Sequence, residues 1–227
     1  MLDVAYVDSF KEYLKNVRCA SDNTISSYVR DITQFAAFLN AQGVDDITEV
    51  SADDAQKYLS WIVESGRSPA TVSRCIVSIK SFFNRMTDDG YFENNPVAGI
   101  SSPISGRNAL RLLSSEEIRR LFDQLDGTDV KSCRDKAMLD TLYATGIRVS
   151  ELVALDISDV NLSTGLITCR NGKERTIPIY EEAIKSIGIY LSFARESTAA
   201  SNERALFVNV HGKRMTRQGF WKILKAY

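Results

Sequence analysis

A chain of 227 residues, 44% hydrophobic and 25% charged, is long enough for two modest domains and too apolar for a disordered tail. It has no apolar run of bilayer length, and Met1-Leu2-Asp3-Val4 lacks the basic patch of a secretory signal, so a cytoplasmic protein without membrane association is expected. The net charge of −1 hides an asymmetry: residues 1–105 hold 9 Lys/Arg against 14 Asp/Glu, residues 106–227 hold 19 against 15.

The first 90 residues predict four amphipathic helices. Phe10, Tyr13, Leu14 and Val17 recur at helical spacing, as do Ile25, Val29, Ile32, Phe35, Ala36 and Leu39. Ala55, Tyr58, Leu59, Ile62 and Val63 form a third stripe, and Val72, Cys75, Ile76, Ile79, Phe83 and Met86 a fourth. Ser51 with Asp54 has the spacing of a capping box, and Asp88-Asp89-Gly90 closes the last helix. Periodicity stops over 94–109, which holds two of the four prolines. The expected organisation is a helical domain at 1–97, a linker at 98–110 and a second domain at 111–227.

The second domain opens with the capping box Ser114-x-x-Glu117 before Ile118, Leu121, Phe122 and Leu125. A helix is expected from about Arg134 to Ala144, stopped by Thr145-Gly146, and a short one over 149–154. The pattern then changes. Residues 166–169 and 175–179 read as strands, with Asn171-Gly172 between them as a hairpin signal. A helix follows through Ala183, Ile187, Tyr190 and Leu191, then a short strand at Leu206-Phe207-Val208. Thr216 to Tyr227 reads as a last helix without a stop signal, with Tyr227 inside it. The whole is mainly α with a small β-hairpin.

Cys19, Cys75, Cys133 and Cys169 contain no Cys-x-x-Cys pair, and His211 is the single histidine. That argues against a structural zinc site and for reduced, mostly buried thiols. Two constellations carry chemistry instead. A two-residue turn at Asn171-Gly172 would set Arg170 opposite Lys173 on one face, a like-charge pair that a bound anion would favour; a solvated turn fits as well. In Ala144-Thr145-Gly146-Ile147-Arg148-Val149-Ser150-Glu151-Leu152, Gly146 is placed for a left-handed helix end and Arg148 falls at the junction before the next helix. Arginine suits a phosphate because its planar fork matches two oxygens. Glu151 is spaced to hold that guanidinium, and a plain surface salt bridge accounts for the same spacing.

Residues 144–155, with Asp159-Val160 downstream, resemble the first-arginine motif of the tyrosine recombinases, the phage-integrase family. Gly172-Lys173-Glu174-Arg175 through Pro178 resembles the family's catalytic hairpin, and Met215-Thr216-Arg217-Gln218-Gly219-Phe220-Trp221 the following helix in the Xer subgroup. Asn23-Thr24-Ile25-x-x-Tyr28-x-x-Asp31 and Ser68-Pro69-Ala70-Thr71-x-x-Arg74 resemble the helical core-binding domain. The resemblance runs nearly end to end, in order. It implies a four-helix SAM-like core-binding domain joined to part of the catalytic domain, together clamping double-stranded DNA.

In that family a tyrosine attacks a backbone phosphate to give a 3′-phosphotyrosyl link and a free 5′-hydroxyl, and strand exchange reverses the step, with no cofactor or metal. Two arginines and a histidine stabilise the charged transition state, and a hairpin lysine protonates the leaving oxygen. Arg148 takes the first-arginine position and Glu151 that of its acidic support. The lysine position, eight residues before Pro178, holds Arg170; either Lys173, five before it, is the acid across the turn, or protonation is impaired. By the same resemblance Thr24, Ser27, Tyr28, Ser68, Thr71, Arg74 and Lys80 would contact DNA, with Lys213 and Arg217 from the second domain; capping explains Thr24 and Ser68 equally well.

The His-x-x-Arg-His motif and the later nucleophilic tyrosine do not occur in the 227 residues, His211 lying upstream of the Trp221 helix. The expectation is a chain that binds DNA without cleaving it; the alternative is a non-catalytic DNA-binding protein derived from a recombinase. Xer members resolve chromosome dimers at cell division and relatives integrate or excise mobile elements, and the absence of an arm-binding domain favours the Xer type. The full-length form is expected as a tetramer on two DNA sites, with a second recombinase as a candidate partner, and the 227-residue chain as a monomer.

Overall fold

The computed structural model describes residues 4–101 and 112–227. The chain divides into two compact units, Met1–Ala109 and Leu110–Tyr227. Residues 102–110 of the expected linker lie outside the described residues.

The first unit is helical: α1 Val4–Asn16, α2 Asp22–Ala41, α3 Ala52–Glu64 and α4 Pro69–Asp88. Each of the last three begins at a serine that accepts a hydrogen bond from a backbone N–H three residues on: Ser21 from Thr24, Ser51 from Asp54, Ser68 from Thr71. The Ser51–Asp54 box is reciprocal, and Pro69 sits at the first position of α4, where its missing N–H costs nothing. The four apolar stripes converge on one core, except that Val17, beyond the end of α1, and Val63 are exposed. Phe35 meets Tyr58 and Phe83 edge-on at centroid distances of 4.9 and 6.1 Å, and Phe82 meets Phe10 at 5.3 Å. Each such ring removed from water contributes roughly 1.5–3 kcal/mol. Val97 and Ile100 are buried in the same core, so the chain stays attached to this unit beyond α4.

The second unit holds α5 Ser115–Asp123, α6 Val130–Thr145, α7 Val149–Ala154, β1 Val160–Asn161, β2 Leu166–Cys169, β3 Arg175–Pro178 and α8 Glu181–Ile189. A π-helical turn, Tyr190–Arg195, leads into α9 Glu196–Thr198, and α10 is Arg217–Leu224. The strands form an antiparallel sheet in the order β1-β2-β3. Helix α6 packs against both α8 and the π turn, and Ala137 and Met138 on it are fully buried.

Several expectations are corrected. Helix α6 starts at Val130, capped by Asp129, four residues before the apolar pattern suggested, because its face is buried nearly all round, Arg134 and Asp135 included. Leu206-Phe207-Val208 is no strand: the backbone there makes isolated bridges, Asp156 to Ala205 and Val208 to Arg214. The last helix ends at Leu224, and Tyr227 lies beyond it, its phenol donating to Asp135 at 3.1 Å. The hairpin register is Cys169 opposite Arg175 and Ile167 opposite Ile177, so five residues, 170–174, form the loop. A two-residue turn would slide β3 by one position and turn Ile177 away from the core against which it packs. Core burial sets the register, and Arg170 and Lys173 are not opposed.

Two glycines with positive φ differ in what surrounds them. Gly146, φ 61°, ends α6 in open space. Gly212, φ 71°, has the Thr198 carbonyl oxygen 2.4 Å from where a Cβ would stand. Gly146→Ala should cost about 1 kcal/mol, the left-handed penalty alone, whereas Gly212→Ala should cost more than about 2 kcal/mol, since backbone must move as well. Urea denaturation of both variants reads the difference.

Candidate active site

Gly146 ends α6 with its N–H donating to the Leu142 carbonyl at 2.8 Å, and the chain turns directly into α7. Arg148 is the residue before α7, with extended backbone (φ −69°, ψ 150°). Its side chain is 82% exposed. Three residues on, Glu151 is 4% exposed. A buried carboxylate must be matched by donors, and this one is. The Arg148 backbone N–H donates to Glu151 Oε2 at 2.8 Å. Arg175, from β3, donates with both terminal nitrogens, Nη1 to Oε1 at 2.7 Å and Nη2 to Oε2 at 3.1 Å. The Arg175 bonds first, and the Arg148 N–H second, hold the Glu151 carboxyl down at about 2.

The pairing of Glu151 is thus not the one that spacing suggested. Arg148 Nη1 is 3.9 Å from Glu151 Oε1, within ion-pair range and beyond hydrogen-bond length. Arg175 is the main partner; the sequence sets it in the hairpin motif and gives it no role there. The partners lie 24 positions apart, so no helical or hairpin spacing announces them. A buried acid in the arginine motif is the one signal that a second cation was needed.

Arg170 is likewise engaged elsewhere: its Nε donates to Asp159 Oδ1 at 2.7 Å, and its Nη1 is 4.0 Å from Glu174 Oε2. Asp159 is 9% exposed and also accepts from the Asp156 N–H at 2.9 Å. Lys173 is exposed within the loop beside Gly172, whose φ is 96°. Arg217 opens α10 and lines an open groove of about 810 Å³ with Val149, Thr216, Phe220 and Trp221, so it shares a surface with the start of α7. Lys213 sits in the exposed turn between Val208 and Arg214 and does not line that groove.

In the first unit, Arg74 donates to the Ser27 carbonyl at 3.4 Å and pairs with Asp31, which is 1% exposed. Ser78 donates to the same Asp31 carboxylate at 2.7 Å. The contacts Ser27 to Arg74, Asp31 to Ser78 and Phe35 to Phe83 advance together, so α2 and α4 run in the same direction. Their N-termini therefore share one end of the bundle, bringing Thr24, Ser27, Tyr28, Ser68, Thr71 and Arg74 together. The Thr24 hydroxyl is 2.9 Å from that of Ser21, and the Thr71 hydroxyl 2.8 Å from that of Ser68; Ser68 caps α4 as expected, whereas α2 is capped by Ser21 and not by Thr24. Lys80 does not join this cluster: it lies twelve residues along α4 from Ser68, about 18 Å, and its Nζ donates to the Ala98 carbonyl at 2.7 Å.

Comparison with known proteins agrees with this architecture. The model of the phage integrase family matches residues 111–227, and that of the phage integrase N-terminal SAM-like domain matches residues 7–90. The chain belongs to the phage integrase family, the tyrosine recombinases, and proteins named XerD and XerC are among its relatives. It is 40% identical to tyrosine recombinase XerD of Oceanobacillus iheyensis, over 100% of this chain and 77% of that protein. It is 38% identical to tyrosine recombinase XerC of Roseiflexus castenholzii, over 97% of this chain and 72% of that protein. Among solved structures, the Tn1549 transposon integrase in complex with a circular intermediate DNA superposes with a TM-score of 0.74 at 18% identity, over 98% of this chain and 78% of that one, which shows the shared fold.

The Glu151 carboxyl makes the second unit acid-sensitive. Its folded value of about 2 lies below the usual 4.5, so its stabilisation is fully present above pH 5 and is lost as pH falls toward 2. Glu151→Gln should remove that part of the pH dependence; urea denaturation at pH 6 and pH 3.5 on both proteins checks it.

Proposed function

We propose that this chain binds duplex DNA as the core-binding domain and arginine-bearing part of a Xer-like site-specific tyrosine recombinase, in the cytoplasm. The observation that carries this reading is the Arg148 guanidinium, 82% exposed at the start of α7 and backed by a buried carboxylate that another arginine neutralises. It stands ready to grip a phosphate in two-oxygen fashion. In phosphoryl transfer such a group stabilises charge on the non-bridging oxygens in the transition state. Family membership and the Xer relatives support that assignment.

In this reading, the paired N-termini of α2 and α4 offer backbone N–H groups and the short hydroxyls of Thr24, Ser27, Ser68 and Thr71 to the phosphate backbone. Arg74 and Tyr28 flank them, and Arg217 and Lys213 contribute from the second unit. Lys80, committed to the Ala98 carbonyl, is the weakest of the set. Lys173 is the candidate proton donor, because it is exposed on the loop while Arg170 is held by Asp159. These 227 residues hold one histidine and no His-x-x-Arg-His motif, and the role this reading assigns to them is DNA binding. In a full-length recombinase the same surfaces would serve a tetramer on two sites.

The test is equilibrium binding to a duplex selected from a random pool. With roughly six to eight phosphate contacts the affinity should fall steeply with salt, about 0.9 in log–log slope per contact. Arg148→Ala should flatten the slope by about 0.9. No detergent-stable protein–DNA adduct should form on a nicked substrate. A salt-independent or absent interaction would sink the DNA reading, and a covalent adduct would overturn the expectation that this polypeptide does not cleave.

A further inference from the structure

We infer that Arg175 is a positioning residue for Arg148: by occupying both oxygens of Glu151, it keeps the neighbouring guanidinium free for a phosphate. This inference rests on the reading of Arg148 as a phosphate ligand and extends it to a residue that never touches the phosphate.

The argument begins with competition. Glu151 is buried and charged, and a buried carboxylate captures whatever cation can reach it. Among the described residues two guanidiniums lie within 4.0 Å of it. Arg175 takes it with two bonds of 2.7 and 3.1 Å. Arg148, nearer in sequence, stops at 3.9 Å with its side chain in solvent. A change of about 1 Å would bring Arg148 to hydrogen-bond length. Its fork would then face the protein interior, and a phosphate would have to break an ion pair to engage it. With Arg175 in place the carboxylate instead becomes a support. Its remaining charge is nearly neutralised, one oxygen accepts the Arg148 backbone N–H at 2.8 Å, and that bond fixes where the Arg148 Cα stands.

Position adds a second element. Arg175 is the first residue of β3, opposite Cys169 at the end of the ladder, immediately after the loop that carries Lys173. The same ion pair therefore joins the base of that loop to the first turn of α7. The arginine motif and the hairpin are coupled through one carboxylate.

The experiment uses the 227-residue chain and the selected duplex, with the salt dependence of binding as readout. Arg148→Ala should flatten the log–log slope by about 0.9, one phosphate contact. Arg175→Gln should reproduce that loss although Arg148 is intact. Glu151→Gln combined with Arg175→Gln should return the slope to the wild-type value, since no buried charge then competes for Arg148. A direct DNA contact by Arg175, or a merely structural role, would not be rescued by the second substitution. If Arg148→Ala leaves the slope unchanged, the phosphate role of Arg148 falls. If Arg148→Ala flattens it and Arg175→Gln does not, that role stands and the positioning inference is overturned. Should Arg175→Gln alone fail to fold, the double variant decides: a wild-type slope supports the inference, and a slope equal to that of Arg148→Ala overturns it.

Discussion

A carboxylate sealed from water sets the geometry of the second unit. Glu151 cannot be left charged and unpaired in its 4%-exposed position, so the chain must bring donors to it. One comes from three residues back, the Arg148 N–H, and two from 24 residues ahead, the Arg175 fork. The first caps α7 and the second draws β3 against it. The turn after Gly146, the first turn of α7 and the hairpin base are thereby held to a common point. Small errors in any of them would lengthen bonds that a buried charge cannot spare.

The first unit uses the same device. Asp31 is buried on α2 and receives Arg74 and Ser78 from α4. Such pairs add little net stability over apolar packing, because desolvation offsets most of the attraction. What they supply is register, since two parallel helices can slide along an apolar seam more easily than along an ion pair. With α2 and α4 locked axially, the Ser21 and Ser68 caps sit at the same end, and two sets of helix N–H groups face the same way. In both units a buried acid fixes how a neighbouring, more exposed surface is presented.

This division explains how much could be read from the chain alone. Caps and stops are local chemistry, so Ser51–Asp54, Ser114–Glu117 and the left-handed Gly146 were all legible. The four stripes of the first unit were legible because each helix there keeps one wet face. Helix α6 keeps almost none, so its apolar pattern marks a start four residues late. The hairpin was legible as a hairpin and misjudged in register. Asn171-Gly172 is a local preference for a tight turn, whereas the pairing of Ile167 with Ile177 is decided by a core that the local sequence does not describe. Glu151 with Arg175 and Asp31 with Arg74 depend on tertiary folding, so they left no periodic trace. The motif resemblance supplied Arg148 and Glu151 together and Arg175 in the separate hairpin motif, without linking the three.

Arg170, which the sequence resemblance sets at the hairpin lysine position, shows how such a network limits chemistry. A guanidinium stays protonated above any pH at which the protein works, so Arg170 is unsuited to hand a proton to a leaving alkoxide. Its surroundings give it other work. Asp159 is nearly buried and is satisfied by Arg170 on one oxygen and by the Asp156 N–H on the other. Withdrawing Arg170 toward a ligand would strand that carboxylate. A lysine at 170 would reach Asp159 with a single point charge and leave it more readily. The arginine thus trades a mobile donor for a fixed strut between the hairpin and the turn after α7. Lys173, by contrast, stands exposed within the five-residue loop that the core's register sets, while Arg170 at the base of that loop is tied to the turn after α7.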